Sequence, residues 1–579
     1  MYQTHSLKPI SVQRTRPRVI LLLVSSWIAL ALLGCSIGPI GDEASEVQGQ
    51  PAEDMDTIVV GLPEIPTSLD PADHLSRVSE TVIRNMFDGL VTRDQNNKVV
   101  LELAEELNWV DDQTLEVKLR EGVLFHDGSE MTADDVVFSF NRIIVDNAIE
   151  FPEPHTSPRQ SLLAPLELVE KIDPYTVLFH FSSPWPPAMQ LLVHQQILPM
   201  HVLEEVGTEG FLEHPIGTGP FRFISSDQKL TEIVLERFDS YYGGSPALPP
   251  VGTACVDRVI FRAIPDAGTR VAALRVGEAD IIQAVPIDVA DRLISDPEIN
   301  IMTAPGTQPL WLEMNIKHPF FFDENVRQAL NYAIDKNQII EEVYGSRAEP
   351  LAGPLSPNNP FVHDELTPYP YDIELAKAML EKAGWKERRF IFDESEASIP
   401  VGDELIDVGI LRDSQGIPFQ FNLDTLPEWY PLAAELSAQL RKIGILADIR
   451  LWEPEDIRFE HNLGNRDAYL DDWGDSAFDP VGHFDAKWHG YNEEGIYGQA
   501  NFSGFNDPRV NELIRTGEIT AEESERRAIY NEAQEIIYKK APAIFLVLPE
   551  IVEAASVKVV NWEPASDGSI MLHDVCIQP

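Results

Sequence analysis

From Thr57 onward the chain alternates between short runs with strand-like spacing and longer runs with helical spacing. Thr57-Ile-Val-Val-Gly61 is β-branched and apolar, and predicts a buried strand. Gln113–Leu119 alternates apolar and polar, and Val177–Phe181, Val259–Arg262 and Ile544–Leu548 also read as strands. Val78–Leu90 has helical spacing, with Val82, Ile83, Met86 and Leu90 on one face. Thr132 with Asp135 three residues later is close to a capping box, and the helix after it turns Val136, Val137, Phe140 and Ile144 inward. Thr269–Val276 is helical and capped by Gly277, and Asp323–Tyr344 reads as one long helix. Asp372–Ala383 and Leu432–Ile443 are helices stopped by Gly384 and Gly444, the residue type favoured just past a helix end. Strands at Asn422–Leu426 and Ala447–Trp452 flank the second of these, giving a β-α-β unit; a last helix covers Glu522–Lys540.

The first 35 residues follow a different pattern. Lys8, Arg14, Arg16 and Arg18 form a basic head, and Val19–Leu33 is apolar apart from Ser25 and Ser26. The apolar run is short for a membrane span and fits the core of a signal peptide. It ends in Leu32-Leu33-Gly34-Cys35, which resembles a bacterial lipobox. Cleavage after the small Gly34 would leave Cys35 to carry a diacylglyceryl group, and Ser36–Asp56 reads as a flexible, acidic tether. The expected location is extracytoplasmic, lipid-anchored to the cell membrane, in the periplasm or at the cell surface.

Composition narrows the function. The 579 residues are 44% hydrophobic, a globular composition. There are 94 acidic against 44 basic side chains, a net charge of −50. Such a surface repels phosphates and excludes a generic nucleic-acid binder. Cys35, Cys255 and Cys576 form no CxxC motif; the last two could pair in an oxidising compartment, and spacing leaves that open. Pro215-Ile-Gly-Thr-Gly-Pro-Phe221 is not a phosphate loop, since Pro220 follows directly and no Lys is placed.

From Thr67 to Leu548 the order of segments resembles the bacterial extracellular solute-binding proteins of family 5, the oligopeptide- and dipeptide-binding lipoproteins of ABC importers. The blocks that carry the resemblance begin with Ser68-Leu-Asp-Pro-Ala72, Leu119-Arg-Glu-Gly122, Phe125-His-Asp-Gly128, Thr132-Ala-Asp-Asp-Val136 and Pro215–Phe221. Ala272–Asp280, Val326–Asp335, Tyr371–Lys377, Asp471-Asp-Trp-Gly-Asp475 and Asn501-Phe-Ser-Gly-Phe505 follow in order. The resemblance implies an α/β chain with the two-lobe periplasmic-binding-protein type II fold, an extra third domain and a ligand cleft between the lobes. The implied boundaries are a signal peptide at 1–34 and the lipidated Cys with its tether at 35–56. Lobe I takes 57–80, 210–305 and 540–579, the extra domain 81–209, and lobe II 306–539. It also implies a monomer without enzymatic activity or cofactor, whose partners are a peptide or other small ligand and ABC permease subunits with their ATPase.

In peptide-binding relatives a Trp in this place lines the pocket, and an Asp three residues later meets the peptide's amine. Trp473 matches, and Asp479-Pro480 falls at the expected downstream spacing. Ser476 occupies the third position and Asp475 stands one residue early. The candidate ligand-binding set is therefore Trp473, Asp475, Ser476 and Asp479, with Trp429 and Tyr430 from the β-α-β unit. Dipeptide binders place an Arg near that β-α turn, but no Arg or Lys lies between Phe419 and Gln439, which favours longer peptides held through their backbone. Trp429, Tyr430, Trp452 and Trp473 could instead stack on a sugar ring or simply pack, so an oligosaccharide or a metal complex is the alternative ligand. His126-Asp127 and the stretch from His483 through Asp485 to His489 lack a zinc-type motif. A secreted hydrolase is remote: Gly474-Asp475-Ser476 has no GxSxG context.

Overall fold

The computed structural model describes residues 56–578 apart from Pro250, 388–408, Glu455, 458–459, 461–463, 475–476 and 493–496. Thr57–Leu62 lies inside a seven-stranded sheet, with Arg258–Ala263 and Ile281–Ile282 parallel on either side. Glu232–Arg237 and Phe221–Ser226 extend one edge, and Ile551–Ser556 and Ile299–Ala304 the other. A six-stranded sheet is ordered Ala348–Pro350, Ala543–Pro549, Leu310–Met314, Ala468–Asp472, Gln420–Thr425, Leu446–Leu451. Its last two strands are parallel and joined by the helix Tyr430–Lys442, the expected β-α-β unit. Ala104–Asp111, Thr114–Leu119, Thr176–Phe181 and Leu166–Asp173 form a third, antiparallel sheet under the helix Ala133–Ile144. Each sheet carries its own hydrophobic core.

Local chemistry explains most of these elements. Thr132 N–H donates to Asp135 Oδ2 at 2.8 Å, which starts the helix Ala133–Ile144. Val136 and Phe140 are buried as the spacing requires, but Ile143 is buried in place of Ile144, and Val137 is only half-buried. The Gly-Thr-Gly turn at 217–219 has a steric purpose. A Cβ on Gly217 would sit 2.2 Å from the Met86 carbonyl oxygen, and one on Gly219 2.5 Å from the Met86 carbonyl carbon. The glycines let two backbone segments touch, and Gly219 N–H donates to Met86 O at 2.9 Å.

Two helices are shorter than their periodicity suggests. The segment expected as one helix over Asp323–Tyr344 is broken into Glu324–Ala333 and Lys336–Glu342. Asp335 accepts from Gln338 N–H at 3.1 Å and caps the second helix, so a side-chain acceptor displaces the continuous ladder. The first helix covers only Arg77–Ile83 rather than reaching Leu90. Beyond it, buried Asn85 donates to Ile570 O at 2.7 Å and accepts from Leu572 N–H at 3.0 Å. That tie to the far C-terminus outweighs local helical spacing.

The chain passes between the seven- and six-stranded sheets twice, from Ala304 to Leu310 and from Pro549 to Ile551. Ala543–Pro549, grouped with lobe I in the sequence reading, is hydrogen-bonded to Leu310–Met314 in the six-stranded sheet, so the second crossing falls at Glu550. Cys255 and Cys576 are joined by a disulfide across a sequence separation of 321 residues. It ties the segment just before the strand Arg258–Ala263 to the C-terminal segment. A bond closing so long a loop restricts the unfolded chain strongly. Replacing both cysteines with serine is expected to lower stability by about 2–4 kcal/mol, read as a lower urea midpoint. An unchanged midpoint would show that the bond adds nothing to the fold.

Candidate functional site

The two bodies meet where the first helix faces the end of the strand Ala468–Asp472. Ser76 caps the helix by accepting from Ser79 N–H at 3.2 Å, which sets Arg77 at its first position. Arg77 Nη1 donates to Thr307 Oγ1, on the first crossing, at 3.4 Å. Across the gap stands Gly474; a Cβ there would lie 2.6 Å from Arg77 Nη2. Arg93, from the extra domain, makes a second bridge to the six-stranded body. Its Nη2 donates to Ala477 O at 3.0 Å, and its guanidinium lies 4.9 Å over the Phe478 ring. Burial and the neighbouring Arg84 push Arg93 down to about 10.

A small pocket of about 20 Å³, room for about one water, opens beside this contact, lined by Arg77, Glu80, His194, Asp567 and Ser569. Every lining side chain is polar or charged. Glu80 accepts from His194 Nδ1 at 2.7 Å and from Arg159 Nη2 at 3.4 Å. Burial alone would raise its carboxyl, but His194 and Arg159 outweigh burial and hold it well below the ordinary value. His74, behind this pair, is pushed down to about 3 by burial and by Arg159, and so is neutral. Asp567 is raised by burial, but Arg84 at 3.3 Å and the Ser569 hydroxyl bring it below the ordinary range. The wall therefore holds ionised groups of both signs.

On the six-stranded side of the contact lies a buried charge cluster. Lys487, 1% exposed, meets Glu313 at 2.5 Å and also contacts Asp471. Its ammonium is 5.6 Å from the centre of the Trp473 ring, which stacks on His483 at 6.4 Å. Asp472 ends the strand directly before Trp473. Burial and Asp471 push its carboxyl up to about 6, against the pull of Lys487 and Arg77.

The expected ligand residues fare differently. Trp473 is half-buried at this meeting point, while Asp475 and Ser476 lie outside the described residues. Asp479 is not open to a ligand. It is 3% exposed and grips Arg526 through both oxygens, at 2.5 and 2.6 Å, while Val481 N–H adds a third hydrogen bond. A buried, doubly held carboxylate has a structural role, and removing one partner of such a pair costs about 3–5 kcal/mol. Trp429 packs on Leu426, Ile457 and Tyr469, and Tyr430 is 49% exposed. Trp452 donates to Asp424 at 2.7 Å and is covered by Arg466, so its ring is already occupied. His126 bonds the Gly217 and Gly219 backbone, and His489 bonds Gly490 O and Arg515. No group of three or more metal-ligating side chains is assembled among the described residues. Arg77, Glu80, His194, Asp567 and Ser569 are absent from the sequence-based set. Only the first helix gave a local signal, and nothing linked it to residues 567–569.

The seven-stranded and six-stranded bodies, the two crossings and the third domain define a two-lobe binding protein of the type II class. The chain belongs to the bacterial extracellular solute-binding proteins, family 5, whose middle-region model matches residues 98–495. The glutathione-binding protein GsiB of Pectobacterium atrosepticum is 27% identical over 516 residues, covering 88% of this chain and 91% of that one. The oligopeptide-binding protein AppA of Bacillus subtilis, solved with a nonapeptide, matches with TM-score 0.69 and 26% identity over 90% of this chain and 99% of its own. The ABC transporter-associated protein DppA of Helicobacter pylori, solved with the peptide STSA, matches with TM-score 0.71 and 24% identity over 90% and 98%. These relatives are solute-binding proteins, not enzymes.

One buried acid beside the cavity gives a pH test. Glu553, on Ile551–Ser556, is 1% exposed; burial pushes it up to about 8, with Gln283 opposing and Asp567 adding. In the unfolded chain its carboxyl returns to the ordinary 4.5. Between these values the fold binds one proton more than the unfolded chain, so this group's contribution to stability falls as pH rises from about 4.5 to about 8. Glu553→Gln is expected to remove that slope and to gain on the native protein between pH 5 and pH 8 in urea denaturation. Parallel pH curves for the two proteins would show that Glu553 is already ionised in the fold.

Proposed function

We infer that this protein captures a short peptide between its lobes and presents it to an ABC-type permease, held at the membrane by lipidated Cys35. The all-polar pocket on the seven-stranded side, beside the contact of Arg77 with Gly474, carries the reading. A peptide brings a carboxylate, and the pocket offers Arg77 for it. A sugar site would present free aromatic faces. Here Trp452 and Trp473 are engaged by Arg466, Lys487 and His483. The names of the relatives, which mention glutathione and peptides, point the same way.

Capture works by closure. A ligand that touches both lobes only when they are shut shifts the population toward the shut form. Taking a 1:99 mixture to 99:1 requires about 5.5 kcal/mol of differential affinity. The two crossings supply the hinge, and the chemistry of import lies with the permease's ATPase.

Protein purified without denaturation is expected to release short peptides or glutathione-like molecules on unfolding, identified by mass spectrometry. An oligosaccharide or a metal complex in their place would overturn the peptide reading while leaving the family intact. Cys35→Ser is expected to move the protein from the membrane fraction to the soluble extracytoplasmic fraction without loss of binding. Retention in the membrane fraction would refute the lipid anchor.

A further inference from the structure

We propose that Arg77 is the residue that reads a carboxylate of the captured peptide and couples that contact to closure of the lobes. The inference rests on the peptide reading above and assigns the role to one side chain. Other arginines beside the cavity are spent on the protein. Arg84 holds Asp567 at 3.3 Å and Thr92 Oγ1 at 3.2 Å. Arg93 donates to Asn97 O at 2.9 Å, to Gln190 Oε1 at 2.8 Å and to Ala477 O at 3.0 Å. Arg159 holds His74 and Glu80. Arg77 lines the pocket, and among the described residues it makes one hydrogen bond, to Thr307 at 3.4 Å, and no ion pair, its charge reaching Asp472 of the other lobe without a bond. A guanidinium has five N–H donors in a planar fork that matches a carboxylate. Most of that capacity is unspent among the described partners.

Position gives this guanidinium its second task. It belongs to the seven-stranded lobe, bonds to the first crossing through Thr307, and lies against Gly474 of the other lobe. The absence of a side chain at Gly474 gives Arg77 Nη2 its space, since a Cβ there would stand 2.6 Å away. An anion seated on Arg77 in the shut form is thus within reach of both lobes and of the hinge. Glu80 and Asp567, ionised and already paired, flank it and disfavour a carboxylate anywhere else along the cavity wall. The fork therefore fixes which end of the peptide lies against the hinge.

The test uses the detergent-solubilised full chain, with glutathione, Ala-Ala-Ala and the C-terminal amide of Ala-Ala-Ala as probes in titration calorimetry. The native protein is expected to bind the acid form of Ala-Ala-Ala about 10- to 100-fold tighter than its amide, the scale of a charge-assisted hydrogen-bond pair. Arg77→Gln is expected to bind acid and amide alike, at the native protein's amide affinity, and Arg77→Lys to recover part of the difference. X-ray scattering adds a readout that a merely structural role would not move: the acid should shrink the radius of gyration of the native protein but not of Arg77→Gln. Should Arg77→Gln fail to fold, the acid–amide ratio of the native protein and the lysine variant decide. Equal affinity for acid and amide in the native protein, or an acid preference kept by Arg77→Gln, overturns the role of Arg77 and leaves the peptide reading standing. No binding of any of the three probes sinks the peptide reading and this inference together.

Discussion

Two lengths of chain passing against each other at Gly306 and Pro549 are the constraint on which the working of this molecule depends. A Cβ on Gly306 would lie 2.1 Å from the Pro549 carbonyl oxygen, so only glycine lets the crossings run side by side. Asn358 fixes the first crossing by donating to Gly306 O at 3.0 Å, and Glu550 N–H ties the second to Arg347 O at 3.0 Å. Both ties come from the six-stranded lobe. The crossings therefore belong mechanically to that lobe, and rotation is taken up on the side toward Ala304 and Ile551. Thr307 sits on this same stretch, so a group held by Arg77 acts close to the axis of rotation.

The electrostatics of the interior follow from the same division into lobes. Each lobe is anchored near the cleft by charges buried within it rather than shared across it. Asp70 with Arg142 and Glu80 with Arg159 stand on one side; Lys487 with Glu313 and Asp471, and Asp479 with Arg526, stand on the other. Buried pairs of this kind add little net stability over apolar packing, but breaking one strands a charge in a poorly polarisable interior. Their effect is to fix the orientation of the walls. Lys487 sets Trp473 through its ammonium, and Arg159 with His194 sets Glu80. Contacts between the lobes are of another kind: a guanidinium on a backbone carbonyl at Ala477, a guanidinium against Gly474, and an ion pair of Arg347 with the exposed Asp291 at 2.7 Å. They are few and contain no buried ion pair among the described residues, as reversible closure requires.

How far the sequence reveals this depends on the range of each interaction. Strands set by alternation and helices ended by glycine are local, and Thr57–Leu62, Tyr430–Lys442 and Ile373–Lys382 lie close to where periodicity puts them. The Gly-Thr-Gly turn is legible as a turn, but its reason, the backbone of Met86, is not. Asp323–Tyr344 misleads because apolar spacing continues through Asp335, where a capping carboxylate decides the outcome. The site is the least legible part. Its lining joins a helix start at Arg77, a loop histidine at His194 and a C-terminal pair at Asp567 and Ser569. No spacing rule reaches across 490 residues. Asp479 misleads in the opposite sense: its place beside Pro480 draws attention, yet Arg526, from a distant helix, claims both its oxygens.

The strong acidity of the chain is at odds with the proposed site for a carboxylate only if the net charge of −50 is treated as acting at a point. At physiological ionic strength charges more than about 8 Å apart through solvent are largely screened. The surface acids thus shape approach and solubility, while affinity is decided by the few groups lining the cavity. Among these, Glu80 and Asp567 are matched by His194, Arg159 and Arg84, which leaves their local fields largely cancelled. A single guanidinium in so balanced a wall is enough to set the preferred sign at its own end. The same composition that excludes a polyphosphate, whose charges extend over the surface, is therefore compatible with the proposed small zwitterion, which meets only a few local charges.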